Sequence, residues 1–175
     1  DAIDLSKLIE TKSKVSSKQI NNIDDLFLIA LFDIWVLNID RKKSNNNLLI
    51  ANISNSLQLI AIDHAYSFDS LKFSDLNPDF GVSFSFNDSI LWSPIGMNLI
   101  KNTKLNAKWY ELMKEKFYFC IKQCETEFQI IPQYLTAEIP LNHSDEKALT
   151  NFLFCEDRNK QVFEFFCSII KDIKK

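Results

Sequence analysis

From Asp24 to about Leu37, apolar side chains cover most of a helical surface, with Leu26, Ile29, Ala30, Phe32 and Val36 spread around it. A helix that is apolar on nearly every side must be deeply buried. The stretch LFDIWVLNIDRKKSNNNLLI, residues 31–50, then breaks the pattern with Asn38, Asp40, Arg41 and three consecutive asparagines, Asn45, Asn46 and Asn47. A buried helix that runs into such a segment obliges the chain to keep a polar, irregular loop against its own core.

The segment after the loop supplies its anchor. Residues 47–51 and 57–62 read as two short strands around ISNS, and the alternation in LQLIAID supports a hairpin. Asp40 then stands before one strand and Asp63 at the end of the other. Asp63 comes 23 residues after Asp40, a span that a compact hairpin folds back on itself.

Upstream, TKSKVSSKQINN (residues 11–22) reads as a polar loop. Asn21 or Asn22 is placed to cap the next helix, and Asp24 and Asp25 suit its first turn. Downstream, residues 69–87 contain Pro78 and Gly81 and read mainly as loop, while ILWSPIGMNLI is ambiguous. NAKWYELMKEKFYFCIKQCETEF predicts a long helix with Trp109, Leu112, Met113 and Phe117 on its apolar side, broken at Pro132. SDEKALTNFLF opens on a cap-like Ser144, with lysine where a full capping box needs Glu or Gln. NKQVFEFFCSIIKDIKK predicts the last helix, with basic residues near its C-terminal end. The bulk of residues 90–174 is therefore expected to be helical, giving an α+β fold whose small β element is the hairpin.

Composition supports one packed body. The 175 residues are 46% hydrophobic, with 15 Phe against 2 Gly and 4 Pro, which argues against a disordered chain. Twenty basic and 23 acidic side chains give a net charge of −3, so neither sign draws the chain to nucleic acid or anionic lipid. No apolar run reaches the length of a bilayer-spanning helix, and DAIDLSKLIE lacks a signal peptide's regions; the expectation is cytoplasmic. Cys120, Cys124, Cys155 and Cys167 fall in apolar helical patterns and are expected to be free core thiols.

The polar loop carries chemistry as a set. Asp40 can orient a hydroxyl and accept its proton, the Asn45 amide oxygen can hold a metal ion, and Asp63 can supply an anionic ligand. Phosphoryl transfer needs that division of labour, one group placing the acceptor while others hold magnesium against nucleotide phosphates. Arg41 can orient Asp40, touch a phosphate or form an ordinary ion pair. Taken singly, the asparagines are turn formers and Asp63 a strand terminator. Asp33 can project into the site or tie down Arg41 or the loop, and His64 can orient Asp63 or neighbouring backbone. Tyr66 and Phe68 read as packing beside Asp63, Trp35 as core, and His143 as lying near a helix start.

At NIDRKKSNNNLLI (residues 38–50) and AIDHAYSF (residues 61–68) the sequence resembles the HipA-like kinases and, more distantly, the phosphatidylinositol kinases. The resemblance implies a kinase-like C-terminal lobe over residues 1–175, with Asp40 catalytic and Asn45 and Asp63 as ATP-linked magnesium ligands. His64 and Ala65 follow Asp63 where protein kinases have Phe and Gly. Lys42 replaces the histidine often found after Asp-Arg in this family. Asn45 has the familiar five-residue offset from Asp40, whereas Asn47 directly precedes the strand, so SNNN leaves two registers for the amide ligand.

A complete enzyme of this kind needs a second, strand-rich lobe over the nucleotide. No glycine-rich loop or run of early strands precedes Asp40, and Lys7, Lys12, Lys14 and Lys18 fall in a helix-or-loop region. The first residue is Asp, not Met, consistent with a piece of a longer protein. ATP and Mg2+ are expected as cofactors once that lobe is supplied by the same polypeptide or another chain, with a protein as acceptor. The alternative is an inactive kinase-like module that binds or scaffolds a partner.

Overall fold

The structure, a computed structural model, describes residues 2–4, 24–53, 56–80, 84–128, 130 and 142–175. The expected loop at 11–22, its capping asparagines, the four early lysines, Gly81 and Pro132 lie outside those residues. The described elements are β1 (Ala2–Asp4), α1 (Asp24–Trp35), β2 (Leu48–Ile53), β3 (Ser56–Ala61), α2 (Pro94–Asn102), α3 (Ala107–Phe128), α4 (His143–Phe154) and α5 (Glu156–Lys174). The architecture is α+β, mostly helical with one small antiparallel sheet ordered β1-β2-β3.

α1 is the buried helix that its composition requires. Leu26, Phe27, Ala30, Leu31 and Ile34 are at most 1% exposed, each burial contributing roughly 1.5–3 kcal/mol for the larger side chains. Phe27 meets Phe166 of α5 edge-on at 6.3 Å and Trp109 of α3 at 4.8 Å. Its first turn is pinned by Asp24, which accepts from Trp109 Nε1 at 3.1 Å and Lys116 Nζ at 2.7 Å. Phe32 alone turns outward, 38% exposed, with its ring against His64 at 5.4 Å.

The end of α1 has no glycine. Leu37 takes the left-handed conformation at φ 52°, and Asn38 N donates back to Asp33 O at 2.8 Å. That bond pattern closes a helix and satisfies a terminal carbonyl, at a strain cost of about 1–2 kcal/mol for a residue with a Cβ. Because the turn is sharp, residues 38–47 leave α1 directly as a loop.

The hairpin lies within two residues of its expected bounds. Leu48 pairs with Ala61 and Ile50 with Leu59, so the core-facing side chains share one face, while Leu49 pairs with Ile60 on the other. β1 pairs with β2, Ala2 opposite Ala51 and Asp4 opposite Leu49. β1 is a single strand of three residues rather than a run of strands, and it exists by pairing on the edge that β2 presents.

The described residues from Ser67 to Trp92 include five short 3-10 turns, Ser67–Ser70, Phe73–Asp75, Pro78–Phe80, Phe86–Asp88 and Ile90–Trp92, in place of featureless loop. In the helical part, α5 begins at Glu156, three residues earlier than its pattern indicated. Ser144 is not the cap of α4. Asn142 is, its Oδ1 accepting from Asp145 N at 2.9 Å, and His143 opens the helix. The cysteines also depart from expectation: all four are free, but Cys120 and Cys124 are exposed and Cys155 and Cys167 half-buried. Met113, Phe117 and Ile121 carry the buried stripe of α3, and Leu112 is 42% exposed. Among the described residues no helix is long and apolar enough to cross a membrane.

Candidate active site

The loop after α1 is organised around one carboxylate. Asp40 Oδ2 accepts from Asn45 Nδ2 and from Asn47 Nδ2, each at 2.8 Å. Asn45 reaches it because residues 42–45 close a tight turn, Lys42 N donating to Asn45 O at 2.8 Å and Asn45 N to Lys42 O at 3.1 Å. Asn47 reaches it from a left-handed backbone, φ 43°, a conformation that asparagine adopts more readily than most residues. Asn38, fully buried, donates from Nδ2 to Asp33 Oδ1 at 3.1 Å, and its Oδ1 lies 3.4 Å from Asp40 N. Asn38 is the part of this loop to which no role was assigned from sequence; its position directly after a sharp helix end is the signal that identifies it.

The hairpin returns the chain to the same place. Pairing of Leu48 with Ala61 sets Ile62 against the loop, where Ile62 N donates to Asn47 O at 3.0 Å. Asp63 comes next, exposed, with φ 56°. Its Oδ1 accepts from Ala65 N at 3.2 Å. The chain then docks back on the end of α1, Phe68 N donating to Val36 O at 2.6 Å and Asp69 N to Leu37 O at 3.2 Å. Phe68 packs against Phe73 and Phe152, whereas Tyr66 is 51% exposed.

Arg41 lies beneath this surface and is fully buried. It forms an ion pair with Asp33, itself 1% exposed. Burial pushes the Asp33 carboxyl up to about 7, against the Arg41 charge and the Asn38 amide, which pull it down. Arg41 Nε donates to Asn47 O at 3.3 Å, and Nη2 donates to Ile62 O at 2.8 Å and stands 3.4 Å from His64 Nδ1. Burial and the Arg41 charge hold His64 below the ordinary histidine range, while Asp63 opposes them. Arg41 thus forms an ion pair, one of the alternatives its sequence position offers, and Asp33 is the partner.

Among the described residues, no three His, Cys, Asp or Glu side chains gather as a ready metal cage. The oxygen donors around Asp40 nevertheless suit a hard divalent cation that brings waters and phosphates with it. With its nitrogen on Asp40, the Asn45 amide has its oxygen as the remaining group, and Asp63 is a carboxylate at the surface. A cavity of about 730 Å³ lies elsewhere, lined by residues that include Asn77, Glu125, Lys147 and Phe154 but none of these. Volume and chemistry therefore point to different places, and the convergence of polar groups around Asp40 outweighs the cavity.

The mostly helical α+β body thus presents an aspartate–asparagine loop before a hairpin and a second aspartate after it. A family model described as HipA-like kinase matches residues 5–133, and the chain belongs to the HipA-like kinase family. No curated protein and no solved structure matches it.

Proposed function

We propose that this chain carries the catalytic loop of an ATP- and magnesium-dependent phosphotransferase whose acceptor is a protein hydroxyl. The observation that carries the reading is the pair of amide donors on Asp40 Oδ2, both at 2.8 Å. They fix the carboxylate's plane and leave Oδ1 as the oxygen to receive a hydroxyl proton. Asp40 thus orients the acceptor and acts as its base, the placement on which phosphoryl transfer chiefly depends. Asn45, through its amide oxygen, and Asp63, through its carboxylate, would hold magnesium. When bound with nucleotide, the metal supplies charge neutralisation at the transferred phosphoryl group. Asn47 serves as the second anchor of Asp40. The lobe that covers the adenine comes from a longer polypeptide or a second chain.

Asp40→Asn in the complete assembly tests this. Transfer from labelled ATP to protein acceptors should fall roughly 10²–10⁴-fold, the contribution typical of a positioned base, while ATP binding and folding persist. Equal transfer by wild type and variant removes Asp40 from the mechanism. Magnesium–ATP binding with no transfer to any acceptor selects a binding or scaffold module instead.

A further inference from the structure

Arg41 has no task in that chemistry, yet it heads the fully buried large side chains among the described residues. Burying a guanidinium costs several kcal/mol before its partners repay it, and a hydrophobic side chain of similar volume stabilises a core at least as well. Its contacts are also unusual in their distribution. One guanidinium touches the end of α1 through Asp33, the loop through Asn47 O, and the far end of the hairpin through Ile62 O and His64 Nδ1.

We propose that Arg41 is a positioning residue that fixes Asp63 relative to Asp40, with Asp33 as its dedicated counter-ion; the role rests on the phosphotransferase reading. Two observations carry it. First, Nη2 grips both chain neighbours of Asp63, Ile62 and His64, while Asp63 holds a left-handed φ of 56°. Aspartate adopts that conformation more readily than most residues, and the contacts to both of its chain neighbours set where in space it does so. Second, Nε holds the carbonyl of Asn47, also left-handed at φ 43°, whose side chain anchors Asp40. The two carboxylates are therefore referenced to a single rigid plane.

Asp33 completes the device. Arg41 is adjacent in sequence to Asp40 and reaches both neighbours of Asp63, so an unpaired guanidinium would be drawn to either carboxylate. The ion pair to Asp33 holds it below the surface and leaves both acids to the reaction. Lysine cannot substitute, because an ammonium offers a point charge where four acceptors are spread around a fork.

The test is Arg41→Lys in the complete assembly, with rates normalised to folded protein. The kcat should fall and the Mg2+ concentration for half-maximal transfer should rise, each by about 10–100-fold, as when a residue that supports a metal ligand is lost. A purely structural role would lower the melting temperature and leave the Mg2+ midpoint of the folded fraction unchanged; that result overturns the proposal. If Arg41→Lys does not fold, His64→Leu serves, since His64 is exposed and its loss buries no charge. It should shift the Mg2+ midpoint in the same direction, and an unchanged midpoint counts against the proposal equally. A wild-type assembly that transfers no phosphate overturns the phosphotransferase reading. Mn2+ binding to the full chain, followed by electron paramagnetic resonance, then decides Arg41: weaker binding in the variant sustains its positioning of Asp63. Equal binding in both proteins, or none in wild type, ends the proposal.

Discussion

Arg158 Nη2 donates to the main-chain oxygen of Trp35 at 2.6 Å, across 123 residues of sequence. The contact joins the start of α5 to the last residue of α1, immediately before the loop that carries Asp40. Helix ends leave carbonyls without intrahelical partners, and one that is buried needs a donor from elsewhere. Arg158 also stands 3.4 Å from Phe152 O near the end of α4, its guanidinium 3.6 Å above the Phe152 ring. Trp35 Nε1 returns the contact to Leu153 O at 2.9 Å. Arg158→Met keeps most of the volume but strands these carbonyls, and should cost roughly 3 kcal/mol. Thermal denaturation followed by circular dichroism should show the midpoint about 6–12 °C lower. A change of under a degree would mean that water serves the carbonyls as well.

Asp33 should impose a pH dependence of its own. Its carboxyl is raised from 3.8 to about 7, chiefly by burial. Between those values the folded state holds a proton that the unfolded chain has released, so stability falls as pH rises from about 4 through about 7. Asp33→Asn removes that slope and, in place of the carboxylate, leaves Arg41 facing a neutral amide. The measurement is the denaturant midpoint of both proteins across that pH range. Wild type should lose stability relative to the variant as pH increases; a relative gain would show that Arg41 holds the carboxyl ionised despite its burial.

Local pattern exposed α1, the hairpin and the offsets among Asp40, Asn45 and Asp63, because each is encoded within a short window. α1 is apolar all round, and the hairpin alternates on either side of a turn. What local pattern could not expose depends on distant partners. β1 is only three residues long and exists through its pairing with β2. Arg158 gave no signal among the charges that open α5, since its burial is decided by Trp35 on another helix. The cysteines were misplaced for a different reason. Cys120 directly precedes buried Ile121, and one residue along a helix is a turn of about 100°, enough to carry a small apolar side chain from core to surface.

Gly96 should tolerate no side chain. It lies in the first turn of α2, where its N–H donates to the capping Ser93 Oγ at 3.1 Å. A Cβ there would stand 2.5 Å from Leu91 O, 2.6 Å from Leu91 Cα and 2.7 Å from Ile90 O. All three atoms belong to the backbone of the preceding 3-10 turn, so relief requires moving that turn and the buried side chains of Ile90 and Leu91. Gly96→Ala should therefore destabilise by roughly 1–3 kcal/mol, as overpacking does, despite alanine's better helix propensity. Equilibrium unfolding in urea checks it; a neutral or stabilising result would show that the turn yields freely.

The two asparagines on Asp40 should separate by what they do to metal dependence. Both donate to Asp40 Oδ2 at 2.8 Å, so loss of either loosens Asp40 and should lower kcat. Their backbones differ. Asn47 sits at φ 43° with its carbonyl taken by Arg41 Nε and Ile62 N, which commits it to the framework. Asn45 sits in the tight turn with Lys42, and the remaining polar group of its side chain is the amide oxygen proposed for magnesium. In the complete assembly, Asn45→Ala should raise the Mg2+ concentration for half-maximal transfer by about 10-fold or more, the loss of one ligand from a weakly held cation. Asn47→Ala should leave that midpoint closer to wild type. It should instead lower stability by about 1–2 kcal/mol, because alanine is strained in a left-handed backbone. Measuring Mg2+ activation and thermal stability on both variants distinguishes the registers. The opposite pattern, with the larger Mg2+ shift in Asn47→Ala, would move the metal ligand from Asn45 to Asn47.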